Sequence, residues 1–160
     1  MSALSQNDIR LINEALKPAL SRNGYQRREM TWYSYTQSLT RVFDFQPGIT
    51  SCKARFNLGL GLRGMDSSTH PRIFDCAVYG RLDKIAHDTT QYELATDFSN
   101  SALTSEDRAT KIVELVEGVA LPFLKSIEAV KDLSAFIRSS KSQGFMIKES
   151  AKQLLQSNHK

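Results

Sequence analysis

The sequence predicts an α+β fold, with one antiparallel meander of about five strands flanked by an N-terminal helix and two to three C-terminal helices. Three observations predict it. First, Ser51 to Leu62 (SCKARFNLGLGL) alternates without a break. Cys52, Ala54, Phe56, Leu58, Leu60 and Leu62 fill the even positions, and Lys53, Arg55, Asn57, Gly59 and Gly61 the odd ones. That is the period of a strand with one buried face, and a slip of one residue would bury Lys53 and Arg55. Second, the strand-like runs around it are joined by short turns or one modest loop. Third, helical spacing of apolar residues is confined to the two ends of the chain. A sheet built in this order covers one face with helices and leaves the other wet or available.

The first element is a helix. Ser5 and Asp8 have the spacing of an N-terminal capping arrangement, and Ile9, Ile12, Leu16 and Leu20 follow on one face. Pro18 should kink or tighten its last turn, and Asn23-Gly24 should end it. Trp32, Tyr33 and Tyr35 favour a strand from about Thr31 to Gln37. LTRVFDFQ reads as the next strand, with Leu39, Phe43 and Phe45 on one face. Arg41 interrupts that face and must lie near an edge or pair with an acid. Pro47-Gly48 is a turn signal and leads to the alternating strand.

Arg63 to Pro71 reads as a polar loop. Ile73 to Leu82 reads as a strand with Phe74, Cys76 and Val78 on one face and Asp75, Tyr79 and Arg81 on the other. A weaker strand is expected over Gln91 to Thr96. Thr104 and Asp107 repeat the capping spacing and open a helix through Ala109, Ile112, Val116, Ala120 and Phe123, which Pro122 should bend or end. Ser126 is placed to cap a further helix carrying Val130, Leu133, Phe136 and Ile137. Residues 139–144 read as a linker and 145–156 as a terminal helix, all within one domain.

The 160 residues suffice for a core without staples, and 41% hydrophobic and 24% charged residues are ordinary for a globular chain. No apolar run approaches the ~20 residues of a membrane helix, and no signal peptide is legible, so the expected compartment is the cytoplasm. Cys52 and Cys76 are both expected on inward strand faces as thiols, with a cross-strand disulfide as the alternative. The net charge of +4 is unevenly spread: +5 over residues 1–63, −4 over 64–110 and +3 over 111–160. The basic first third would steer an acidic partner or nucleic acid, although no run of basic residues resembles a nucleic-acid arm.

The order of short motifs resembles a known family. LKPAL (Leu16, Lys17, Pro18), NGY (Gly24, Tyr25), TWYSY (Trp32, Tyr33), VFDFQ (Phe45, Gln46), FNLG (Phe56, Asn57, Leu58, Gly59) and ALPFL (Pro122, Phe123) follow the pattern of the bacterial domain of unknown function 4304. One motif departs from it, since no residue stands between Phe56 and Asn57. The resemblance spans about Leu11 to Leu133 and brings no established chemistry. It implies a small cytoplasmic protein, and some members resemble immunity-type proteins, which makes a toxin the partner it implies.

Catalytic constellations are weak. Asp66, Ser67 or Ser68 and His70 share one loop, without the Gly-x-Ser-x-Gly elbow or the rigid base a triad needs. His87 and His159 stand alone, and no metal-ligand spacing occurs. The glycines of Gly59 to Gly64 alternate with core leucines inside a strand and open no helix, so they do not form a phosphate loop. Gly59 and Gly61 are expected to let a neighbour approach the outward backbone. The expectation is a non-enzymatic protein-binding module, with no cofactor. Its surface residues are Trp32, Tyr33, Tyr35, Gln46, Lys53, Arg55, Asn57, Tyr79 and Arg81, types that anchor interfaces. Trp32 and one tyrosine are alternatively core. A nucleic-acid-binding sheet face is the second reading and a small-ligand pocket between sheet and helices the third.

Overall fold

The computed structural model describes residues 3–65 and 68–157. Asp66, Ser67 and His159, named above, lie outside the described residues. Among the described residues, six strands form one antiparallel meander in the order β1-β2-β3-β4-β5-β6. These are β1 (Gln26–Arg28), β2 (Thr31–Tyr35), β3 (Leu39–Pro47), β4 (Ala54–Leu62), β5 (Val78–Arg81) and β6 (Met146–Ile147). The helices are α1 (Gln6–Arg22), α2 (Thr89–Thr96), α3 (Ser105–Leu115), α4 (Leu121–Ser126), α5 (Val130–Arg138) and α6 (Glu149–Ser157).

Local chemistry sets the helix ends. Ser5 Oγ accepts from Asp8 N at 3.1 Å at the start of α1. Thr104 Oγ1 does the same for Asp107 N at the start of α3, also at 3.1 Å. Each bond satisfies a backbone donor that the helix cannot. α1 runs through Pro18 to Arg22 and stops at Asn23-Gly24, where Gly24 takes a φ of +84°.

β4 keeps the predicted register. Its even residues Ala54, Phe56, Leu58, Leu60 and Leu62 are all buried in the main core. There they meet Trp32, Phe43 and Phe45 from the sheet and Ile12, Leu16 and Leu20 from α1. The Phe56 ring stacks on Phe45 and Phe43 at 5.2 and 5.8 Å. One contiguous core runs from Leu4 to Ala151, so the helices of both chain ends close the same face.

Several expectations are corrected. Gln91–Thr96 is not a strand. It lies in α2, whose first turn is capped by Asp88 accepting from Gln91 N at 3.1 Å. Ile73 to Leu82 is not one strand either. Ile73–Asp75 forms a 3-10 turn, and only Val78–Arg81 joins the sheet. Cys52 is half-buried in the loop before β4, where its carbonyl accepts from Phe98 N, while Cys76 is buried on the opposite side of the sheet. The two thiols are not bonded to each other. Arg41 finds neither an edge nor an acid. Its guanidinium donates to Ile127 O (3.1 and 3.2 Å) and Lys125 O (3.3 Å), carbonyls left over at the end of α4.

Pro122 does not end the long helix. It cannot donate to the preceding turn, and the chain widens into a π turn over Val116–Ala120 before α4. Ser126 closes α4 by donating to Phe123 O. The cap of α5 comes instead from Asp132, which accepts from Glu128 N and Ala129 N. The 139–144 stretch holds a 3-10 turn, Ser140–Ser142, and is no simple linker. Phe145 inserts beside Phe136 and Phe123 at 5.2 and 5.8 Å, and β6 pairs with β5 before α6 begins.

Candidate functional site

The face of the sheet turned away from α1 carries the candidate site. Register places Thr31, Asp44, Asn57 and Arg81 in one row across β2, β3, β4 and β5. Tyr33, Val42, Gly59 and Tyr79 form the next row. Gln46 and Arg55 pair on the other side of the first row. Tyr35 extends the face at the far end of β2.

Residues 68–77, between β4 and β5, strap half of this face. Tyr33 donates to Pro71 O at 3.1 Å and Tyr35 to Thr69 O at 2.9 Å. The His70 ring meets both tyrosines edge-on, at 5.1 and 6.3 Å. Arg63 stands 5.6 Å from the Tyr35 ring and donates to Thr36 O. Ile73 and Cys76 press onto Gly59, where a Cβ would come within 2.7 Å of Ile73 Cδ1 and 2.8 Å of Cys76 Sγ. The expected neighbour of this outward glycine is therefore the chain itself. Burial under the strap pushes the Tyr33 phenol above its ordinary value.

The rest of the face is open. A depression of about 760 Å³ lies between the strap and the end of β3, with Arg28, Asp44, Gln46, His70, Arg72 and Phe74 among its walls. Phe74 is 59% exposed, although its ring leans on Tyr79 at 5.5 Å. Glu29 also lines the depression and is exposed, while the other acids here are engaged. Asp44 accepts from Thr31 Oγ1 (2.8 Å) and Asn57 Nδ2 (3.1 Å). Arg72 donates to Asp75 at 2.9 Å and holds its carboxyl below the usual carboxylate range. Arg81 faces Asp83 at 3.4 Å. Among the described residues, Arg28 and Arg55 are exposed and have no carboxylate within ion-pair distance.

Of the expected surface residues, the structure brings Gln46, Arg55, Asn57, Tyr79 and Arg81 together on this face. Asn57 is nearly buried, and it donates to Gln46 Oε1 at 3.4 Å as well as to Asp44. Tyr35 is exposed at the strap, and Tyr33 is buried beneath it. Lys53 lies just before β4, where its backbone bridges Asp97 beside α2. Trp32 is corrected: it is 1% exposed and points to the core. Sequence reasoning missed Arg28, Asp44, Arg72 and Phe74 as members of the face. Alternation against Phe43 and Phe45 would have found Asp44. The others come from β1 and from a loop whose path no local pattern encodes. Among the described residues, no three His, Cys, Asp or Glu side chains are placed to hold a metal ion. No described helix is long and apolar enough to cross a membrane.

The sequence profile of a family described as a domain of unknown function, DUF4304, matches residues 16–126. The chain belongs to this family. No curated protein and no solved structure matches it. The DUF4304 match begins inside α1 and closes at the end of α4, so it takes in β1 to β5, the strap and the open face. It stops before α5, β6 and α6.

Proposed function

We propose that this DUF4304 chain is a non-enzymatic protein-binding module that docks an acidic partner surface on the open half of the outer sheet face. The observation that carries this reading is the pair of exposed arginines, Arg28 and Arg55, without acid partners on a face where Asp44 and Asp75 are held by their neighbours and Arg81 faces Asp83. Arg28 shares the depression with the exposed Phe74, Arg55 stands on the same face, and arginines with an exposed aromatic match the composition of interface anchors. They also supply long-range attraction for an acidic patch. The acids interspersed on the same face, Glu29, Asp44, Asp75 and Asp83, favour a protein over a polyphosphate backbone, which they would repel.

The test is a tagged capture from lysate of the source organism, with nuclease, using the wild type, an Arg28→Glu/Arg55→Glu double variant and an Arg10→Glu control on α1. The expected result is an acidic protein that survives nuclease, is lost at least about tenfold by the double variant and is kept by the control. Retention by the double variant overturns the assignment. Loss of every partner to nuclease, with binding that falls steeply in salt, replaces it with nucleic-acid binding.

A further inference from the structure

A second depression, of about 420 Å³, lies on the helical side of the molecule, over the π turn. Its walls include Lys84 and His87 from the segment after β5, Lys141 from the Ser140–Ser142 turn, and Gly118, Pro122 and Phe123 from the π turn and α4. We propose that this cleft binds a small organic anion: a carboxylate or phosphate ester joined to an apolar ring.

Three observations support it. The first is charge. Lys84 and Lys141 have no carboxylate within ion-pair distance among the described residues, and no carboxylate lines the cleft. The Lys84 stem lies across Gly144, where a Cβ would approach Lys84 Cδ to 2.9 Å, so the ammonium is carried on a positioned chain. The second is shape. Pro122 and Phe123 give the cleft apolar lining, in a volume within the usual range for small-ligand sites.

The third observation is Gly118. The other glycines whose surroundings are defined have structural reasons. Gly24, Gly64 and Gly144 take positive φ, and Gly48, Gly59 and Gly80 are crowded at the position of a Cβ. Gly118 has neither reason, since a Cβ there would meet nothing within 4 Å. Glycine inside a helix is unfavourable relative to alanine, so its cost here is not repaid by packing. What it leaves is open space in the exposed lining of a cleft that also carries Lys84 and Lys141. The widened turn forced by Pro122 presents that space, and π turns of this kind recur at binding sites.

The test is a 15N NMR titration of the full chain with phenyl phosphate and benzoate. Inorganic phosphate lacks the ring and benzyl alcohol lacks the charge. Saturable shifts are expected at the amides of Ala86, His87, Gly118, Val119 and Lys141 with an aromatic anion, and affinities at least about tenfold weaker for both controls. The stronger of phenyl phosphate and benzoate identifies the anionic group. Gly118→Leu should fill the cleft and abolish the shifts, Gly118→Ala should leave them, and Lys141→Gln with Lys84→Gln should weaken them. Absence of saturable shifts at these amides, equal response to all probes, or binding that survives both Gly118→Leu and the lysine pair overturns the proposal.

Discussion

Gly80 offers the sharpest test of the packing. It lies in β5, with the Phe145 ring directly over its backbone. A Cβ at position 80 would come within 2.6 Å of Phe145 Cδ1 and 2.8 Å of Cε1 and Cγ. No real Cβ contact is that short, so either the ring or the strand must move. The ring has little freedom, because Phe136 and Phe123 hold it at 5.2 and 5.8 Å. Overpacking of this kind costs about 1–3 kcal/mol. Replacing a strand glycine recovers about 0.5–1 kcal/mol of backbone entropy. Gly80→Ala should therefore destabilise by about 1–2 kcal/mol, which lowers Tm by roughly 2–8 °C at this chain length. In a Phe145→Leu background the obstructing ring is gone, and the same substitution should be neutral or mildly stabilising. Urea unfolding of the four proteins in the cycle measures the coupling, which should be about 1–2 kcal/mol. Additivity within about 0.5 kcal/mol would refute the contact and, with it, the insertion of residues 145–147 into the body of the fold.

Three further outcomes follow from the same geometry. Gly59→Ala would push Ile73 and Cys76 off the sheet. It should cost about 1–3 kcal/mol and speed hydrogen exchange across residues 68–77 more than elsewhere. Arg108 is 2% exposed, donates to the carbonyls of Leu94, Asp97 and Asn100, and stands 4.7 Å from the Phe98 ring. Lysine cannot reproduce that fork, so Arg108→Lys should cost about 3 kcal/mol in chemical denaturation, and an unchanged midpoint would contradict the geometry. Backbone N–H groups of Ala129 and Glu128 hold the Asp132 carboxyl below its ordinary value. A depressed folded-state value means stabilisation that is present above the ordinary carboxylate range and lost as pH falls through the folded value. The Tm of Asp132→Ala should thus lie below wild type at neutral pH and converge on it in acid, as read by calorimetry across pH.

Much of the fold was legible because it is written in local repeats. β4 was legible because alternation over nine residues admits only one register that buries its leucines. α1 and α3 were legible because Ser5/Asp8 and Thr104/Asp107 announce their first turns. α2 was misread because Thr89, Thr90, Tyr92 and Thr96 favour strands, and its Asp88 cap, the one local signal, has no clear apolar stripe behind it. Residues 73–77 were misread because an alternating pattern of mixed polarity fits a strand as well as a 3-10 turn packed over Gly59. β6 and the seat of Phe145 depend on contact with Gly80, far away in sequence, which no window reveals.

The site divides along the same line. Its rows follow from strand register, so Arg55, Asn57, Tyr79 and Arg81 were found from alternation alone. Its boundary does not, because it is set by where the strap lies. Tyr33 and Tyr35 fix the strap through carbonyls of Pro71 and Thr69, and the glycine at 59 gives it the depth to pack. That arrangement buries the half of the face that is aromatic and apolar and leaves open the half carrying Arg28, Arg55 and Gln46. A sheet face left wet needs polar residues, but it does not need guanidiniums without acids, because a neutral or paired side chain would solvate as well. Asp44 and Asp75 are held by their neighbours, whereas Arg28 and Arg55 hold no acid, and the charge-reversal pair therefore bears on the proposed docking where a stability measurement would not.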